Sequence, residues 1–136
     1  MEFNFLTIIE LAGTFSFAVS GAFAAMAKRL DPFGVIILAF APAIGGGSVR
    51  DVLIGDLPVA WLSNNITIGV IIFAAVTSML FAPRLKKIEP LLQIFDGLGL
   101  GLFTMVGIEK GLQHGYPPGI CISLGVLTGC FGGVLR

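Results

Sequence analysis

The chain has 136 residues, of which 56% are hydrophobic and 12% charged. Soluble domains carry about twice that charge, so the chain cannot supply a polar shell and reads as lipid-embedded. Eight basic residues balance eight acidic ones, without the basic block that a nucleic-acid partner requires.

Five apolar segments follow in chain order, each near the roughly 20 residues that a membrane crossing needs. The first runs from about Phe5 to Ala27 and holds one acid, Glu10. No positive charge precedes it, which argues against a cleaved signal peptide. The second starts after Pro32, meets "GGGSVRD" at 45–51 and fades near "DLPVAW". The third is Ile66 to Ala82, and the fourth runs from about Leu91 to Gly111 with Asp96 near its start. The fifth begins after Pro117 and Pro118 and is still running at Arg136. Proline suits a helix start because its missing donor is one that the first turn does not use. Short links predict one membrane domain over 1–136, an all-α transmembrane bundle.

Lys28 and Arg29 follow the first segment, and Arg84, Lys86 and Lys87 follow the third. The positive-inside rule places both loops in the cytoplasm and the N-terminus outside. Cys121 and Cys130 lie in apolar surroundings without C-x-x-C spacing, so they read as small hydrophobes. His114 stands beside prolines at a helix end and reads as interfacial. The sequence assembles no Ser/His/Asp set, metal cluster or carboxylate dyad. "GGGSVRD" lacks the lysine of a phosphate-binding loop, and Arg50 holds the last glycine position of G-x-G-x-x-G. The expected protein is therefore a non-enzyme without a cofactor.

An offset of 86 residues aligns Glu10 with Asp96, Gly13 with Gly99, Phe17 with Phe103, Gly21 with Gly107 and Pro32 with Pro118. The same offset aligns Gly46, Gly47 and Arg50 with Gly132, Gly133 and Arg136. Three segments separate equivalent points, and an odd number of crossings inverts the second copy. The first repeat spans about 5–83 and the second starts near 90 and is cut at Arg136. Paired glycine-interrupted segments in inverted repeats point to a transport site near the midplane. Two helix breaks are therefore expected, one at Gly45, Gly46 and Gly47 and one at Gly132 and Gly133. Such breaks would free backbone groups, tolerated at depth only where protein or water meets them. Ser48 adds a hydroxyl beside this path.

Two further readings of these residues stay open. Glycines in membrane helices also permit close packing, the plainer role for Gly97 to Gly101. Arg50 and Asp51 each cost roughly 2.5–3.5 kcal/mol at a helix centre on insertion scales. They serve either permeation or a structural ion pair, with Arg50 expected near the midplane on a carboxylate or backbone carbonyls. Glu10 and Asp96, at repeat-related positions, fit ion-path or packing roles better than acid–base chemistry.

"GGGSVRDVLIGDLPVAW", the second "GGVLR" and the 86-residue repeat resemble the prokaryotic trimeric intracellular cation channels, whose bacterial relatives are also labelled glycine transporters. The resemblance covers the whole chain. It implies seven transmembrane helices, as two three-helix repeats plus a final helix, with the N-terminus outside an inner membrane. It also implies a homotrimer with an hourglass pore in each protomer, permeable to potassium and less selectively to sodium. Carried over by motif, the helix kinks fall at Gly45, Gly46 and Gly47 and at Gly132 and Gly133. The charged positions fall at Arg50, Asp51 and Arg136. The chain ends within the fifth helix, before an aspartate that the family pattern leads one to expect; the sixth and seventh helices would follow. The alternative is a secondary carrier for a small zwitterion such as glycine, rocking its repeats around a midplane site.

Overall fold

The computed structural model describes residues 5–55, 65–81 and 89–135. These form five helices: α1 (Phe5–Ala27), α2 (Pro32–Ile54), α3 (Asn65–Phe81), α4 (Glu89–Gln113) and α5 (Pro118–Leu135). Among the described residues, Ile8–Ala27, Pro32–Ile54 and Pro90–Gln113 are long and apolar enough to span a membrane. Asn65–Phe81 and Pro118–Phe131 are shorter apolar helices. Residues 56–64 and 82–88, with Arg84, Lys86 and Lys87, lie outside the described residues, as does Arg136.

Local chemistry sets the boundaries. Asp31 caps α2 by accepting the Gly34 amide at 3.0 Å, and Pro32 opens the first turn. Gly55, at φ 76°, closes α2 by donating to the carbonyls of Asp51 and Val52. That left-handed backbone suits a residue without a Cβ. Gly115, at φ 78°, follows α4.

Helix α1 packs against α2, α3 and α4, and α5 lies against α4 and α2. Phe17, Ala18, Ala22, Ala25, Ala39, Ile71, Ala74 and Ala75 build the buried core. Alanine at most of these positions lets the helix axes approach. In lipid, where there is little hydrophobic drive between helices, that approach supplies the dispersion contact that holds a bundle together.

The contacts follow the same offset as the sequence. A Cβ on Gly13 would lie 3.3 Å from the Phe103 ring, and one on Gly99 would lie 2.8 Å from the Phe17 ring. The two rings stack at 5.2 Å between centroids, inclined by 13°. A Cβ on Gly21 would strike the Leu38 carbonyl oxygen. Its counterpart Gly107 would meet the Leu124 carbonyl oxygen at 3.0 Å, and Leu124 is Leu38 displaced by the same 86 residues. These glycines serve close approach.

The expected helix breaks are absent. Helix α2 runs uninterrupted through Gly45, Gly46 and Gly47, and α5 continues through Gly132 and Gly133. Glycine costs a helix about 1 kcal/mol relative to alanine, whereas an unpaired backbone group in hydrocarbon costs several. Staying helical wins. Even Pro42, inside α2 and buried, leaves the helix continuous.

Candidate charged site

Four ionisable side chains from three helices meet at one end of the bundle. Arg50, on α2, has a side chain with no exposure and places its Nη2 2.8 Å from Glu10 Oε1 on α1. The same Nη2 donates to Asp51 Oδ1 at 3.0 Å, and Nε donates to that oxygen at 3.1 Å. Neighbours in a helix do not normally face each other; the length and fork of the guanidinium allow it to turn back onto Asp51. Lys110, in the last turn of α4, brings its Nζ to 3.6 Å from Asp51 Oδ1 and 3.8 Å from Glu10 Oε2.

The formal charges cancel, as a low-dielectric interior demands. The cluster has a tight side and a loose one. Arg50 and Asp51 are 0% and 2% exposed at their side chains, while Lys110 and Glu10 are 13% and 22% exposed. The Arg50 contacts have hydrogen-bond geometry, and the Lys110 contacts lie beyond hydrogen-bond length. One donor, Arg50 Nη1, is buried and has no hydrogen-bond partner among the described residues.

Gly47 makes room for the pair: a Cβ there would lie 3.4 Å from Arg50 Nη2 and 3.8 Å from Glu10 Oε1. Ser48 donates its hydroxyl to the Ile44 carbonyl at 2.7 Å. Gly45 and Gly46 are buried in α2. The structure thus brings Arg50, Asp51, Glu10 and Gly47 together. Asp96 is half-buried on α4, and Gly132 and Gly133 lie near the end of α5.

The cluster gathers toward helix ends, with Glu10 in the second turn of α1 and Lys110 in the last turn of α4. One point adds to the sequence reading. Lys110 was missing from the candidate residues. The signal was its position: a lone lysine closing an apolar helix must find acids or reach the membrane surface. His114, by contrast, stays at the helix end, its Nδ1 2.9 Å from the Lys110 carbonyl and its ring stacked on Tyr116.

Comparison with known proteins follows the same lines. The family described as Glycine transporter matches residues 7–83 and 93–136. A UPF0126 membrane protein of Vibrio cholerae is 39% identical over 137 aligned residues, covering 100% of this chain and 57% of that protein. The UPF0126 inner membrane protein YadS of Escherichia coli is 36% identical, with 94% of this chain and 62% of YadS covered. The chain therefore spans about three fifths of the length of these relatives. A crystal structure of the TRIC trimeric intracellular cation channel orthologue from Rhodobacter sphaeroides superposes with a TM-score of 0.92 at 34% identity. That match covers 96% of this chain and 68% of the other. A second prokaryotic TRIC channel, crystallised in 0.5 M KCl, gives a TM-score of 0.91 at 27% identity, again over 96% of this chain and 68% of the other. The chain is a membrane protein of the Glycine transporter family, with the fold of the prokaryotic trimeric intracellular cation channels.

Proposed function

We propose that this chain forms the greater part of a cation channel permeable to potassium and sodium, with one pathway inside each protomer of a homotrimer. Its setting is a bacterial or archaeal plasma membrane, with the N-terminus outside. The observation that carries this reading is the likeness to a trimeric intracellular cation channel at a TM-score of 0.92. The charged site fits it. Glu10 is the most exposed member of the cluster, and among the described residues its Oε2 is paired with the Lys110 ammonium at 3.8 Å. A monovalent cation can compete with that ammonium for Glu10, whereas Arg50 is locked by three short contacts. Gly46, Gly47, Ser48, Gly132 and Gly133 border the path as small residues on intact helices. The two halves are inverted repeats, and the reciprocal contacts at Gly13 and Gly99 support that relation.

A second reading is a carrier for a small zwitterion such as glycine, favoured by the description of the matching family. An arginine beside a carboxylate offers a partner to each end of a zwitterion. Bilayer recording from the full-length protein separates the two. Unitary current steps in potassium chloride establish a channel, whereas saturable glycine uptake without steps establishes a carrier.

A further inference from the structure

Helix α1 fastens α2 at two points, one on either side of Pro42. This proline lies inside α2 and is buried. It has no amide hydrogen, so the Leu38 carbonyl, four residues earlier, loses its helical donor. That oxygen lies against α1. A Cβ on Gly21 would strike it and would lie 3.0 Å from Pro42 Cγ, so a glycine there lets its Cα hydrogen meet the carbonyl. Such C–H···O contacts recur where helices pack closely, and in hydrocarbon an oxygen without its amide needs a partner. The second fastening is Arg50, whose Nη2 donates to Glu10 Oε1 at 2.8 Å.

The spacing of the two contacts matches. Gly21 follows Glu10 by eleven residues on α1, and Arg50 follows Leu38 by twelve on α2. At 1.5 Å per residue these intervals are about 17 Å and about 18 Å. Helix α1 therefore lies along α2 as a splint across the weakened turn. Gly45, Gly46 and Gly47 do not weaken the ladder in the same way, because each keeps its amide. The second half of the chain lacks the device. Thr128 stands where the 86-residue offset carries Pro42. It keeps its amide, and its hydroxyl adds a 2.6 Å bond to the Leu124 carbonyl.

The two fastenings differ in kind. The contact at Gly21 is backbone on backbone, whereas the Arg50 clasp is ionic and its acid is 22% exposed. Lys110, 3.8 Å from Glu10 Oε2 and 3.6 Å from Asp51 Oδ1, supplies a replacement cation to both acids when Arg50 withdraws. We infer that residues 43–54 form a lever hinged at Pro42, with Gly21–Leu38 as its fixed pivot and Glu10–Arg50 as its releasable clasp. Ser48, Arg50 and Asp51 ride on this lever, so its position sets the width of the cation pathway. That consequence rests on the channel reading above; the hinge itself does not.

Distances between spin labels test the hinge apart from any current. The full-length protein, freed of its other cysteines, is reconstituted in liposomes with labelled copies diluted among unlabelled ones. One label pair joins Leu53 on the lever to Leu112 on α4. A second joins Phe33, before the hinge, to Ile94 on α4; all four positions are exposed. A proline bend of about 20° acting over the eleven residues from Pro42 to Leu53 moves the label by about 6 Å. Glu10→Gln, which removes the charge from the clasp, is expected to shift or split the Leu53–Leu112 distance by about that amount and to leave Phe33–Ile94 unchanged. Adding Pro42→Ala restores the missing amide and should return the first distance to its wild-type value. An unchanged first distance, a joint change in both distances, or a change that persists with Pro42→Ala would overturn the hinge. Should Glu10→Gln not fold, Arg50→Lys loosens the same clasp and is read by the same distances. Hinge distances as expected without any potassium current would fail the channel reading alone.

Discussion

Arg50 bridges two helices through a single nitrogen: Nη2 lies 2.8 Å from Glu10 Oε1 on α1 and 3.0 Å from Asp51 Oδ1 on its own helix. The guanidinium therefore ties α1 to α2 while neutralising two acids at once. Removing it would leave both carboxylates without their nearest cation.

Arg50→Ala is accordingly expected to destabilise the folded protein by about 3–5 kcal/mol, the usual loss when one partner of a buried pair is removed. Arg50→Lys should recover less than half of that loss. An ammonium is a point charge and cannot reproduce the fork that holds both acids. Thermal unfolding of the purified variants in detergent provides the measurement.

Lys110→Ala should be far milder in stability than Arg50→Ala, because its contacts at 3.6 and 3.8 Å are long and its side chain is 13% exposed. Contacts beyond hydrogen-bond length hold a lysine less firmly than the short contacts hold Arg50. Its conductance effect should be larger, since Glu10 loses its competing ammonium. Potassium current at equal membrane expression is expected to rise.

Helix approach predicts a contrast between glycines. Gly21→Ala places a methyl group against the Leu38 carbonyl, and backbone cannot move aside cheaply. Overpacking of this kind costs about 1–3 kcal/mol. Gly69→Ala, with open space around the position, should be neutral or stabilising by up to about 1 kcal/mol. The comparison of the two melting temperatures checks it.

The proposed orientation predicts that a single cysteine at Asn64 reacts with an impermeant maleimide from outside the intact cell. Reaction only after permeabilisation would reverse the topology. The loop lies between α2 and α3, so its side also fixes the side of the Glu10 cluster near the end of α2.

Much of this fold was legible because its signals are local and strong. The apolar run of α1 was bounded at Phe5 and Ala27 from hydropathy alone. Pro118 marked the start of α5 through its fixed φ and missing donor. The 86-residue offset also placed Phe17 and Phe103 as equivalents, and they stack. The glycines misled. Gly45 to Gly47 read as a break because intrinsic propensity is a local quantity, while the cost of unpaired backbone is set by surroundings that a sequence does not display. Gly47 instead leaves space for a guanidinium arriving from three residues further along the same helix. Lys110 was illegible for a related reason: its partners are 59 and 100 residues away in the chain, and only the packing of α4 on α1 and α2 brings them within reach.

The central claim is that cations pass alongside the Glu10–Arg50 cluster and the small residue Gly46, and single-channel recording of the full-length protein in planar bilayers tests it most directly. Wild-type protein in a potassium chloride gradient should show unitary steps that reverse toward the potassium equilibrium potential. Gly46→Leu should reduce the step size far more than Gly69→Leu, a change of the same bulk on α3 where nothing lies within 4 Å of the added Cβ. Steps of equal size from the Gly46 variant and wild type, at equal incorporation, would contradict the claim and move the pathway elsewhere.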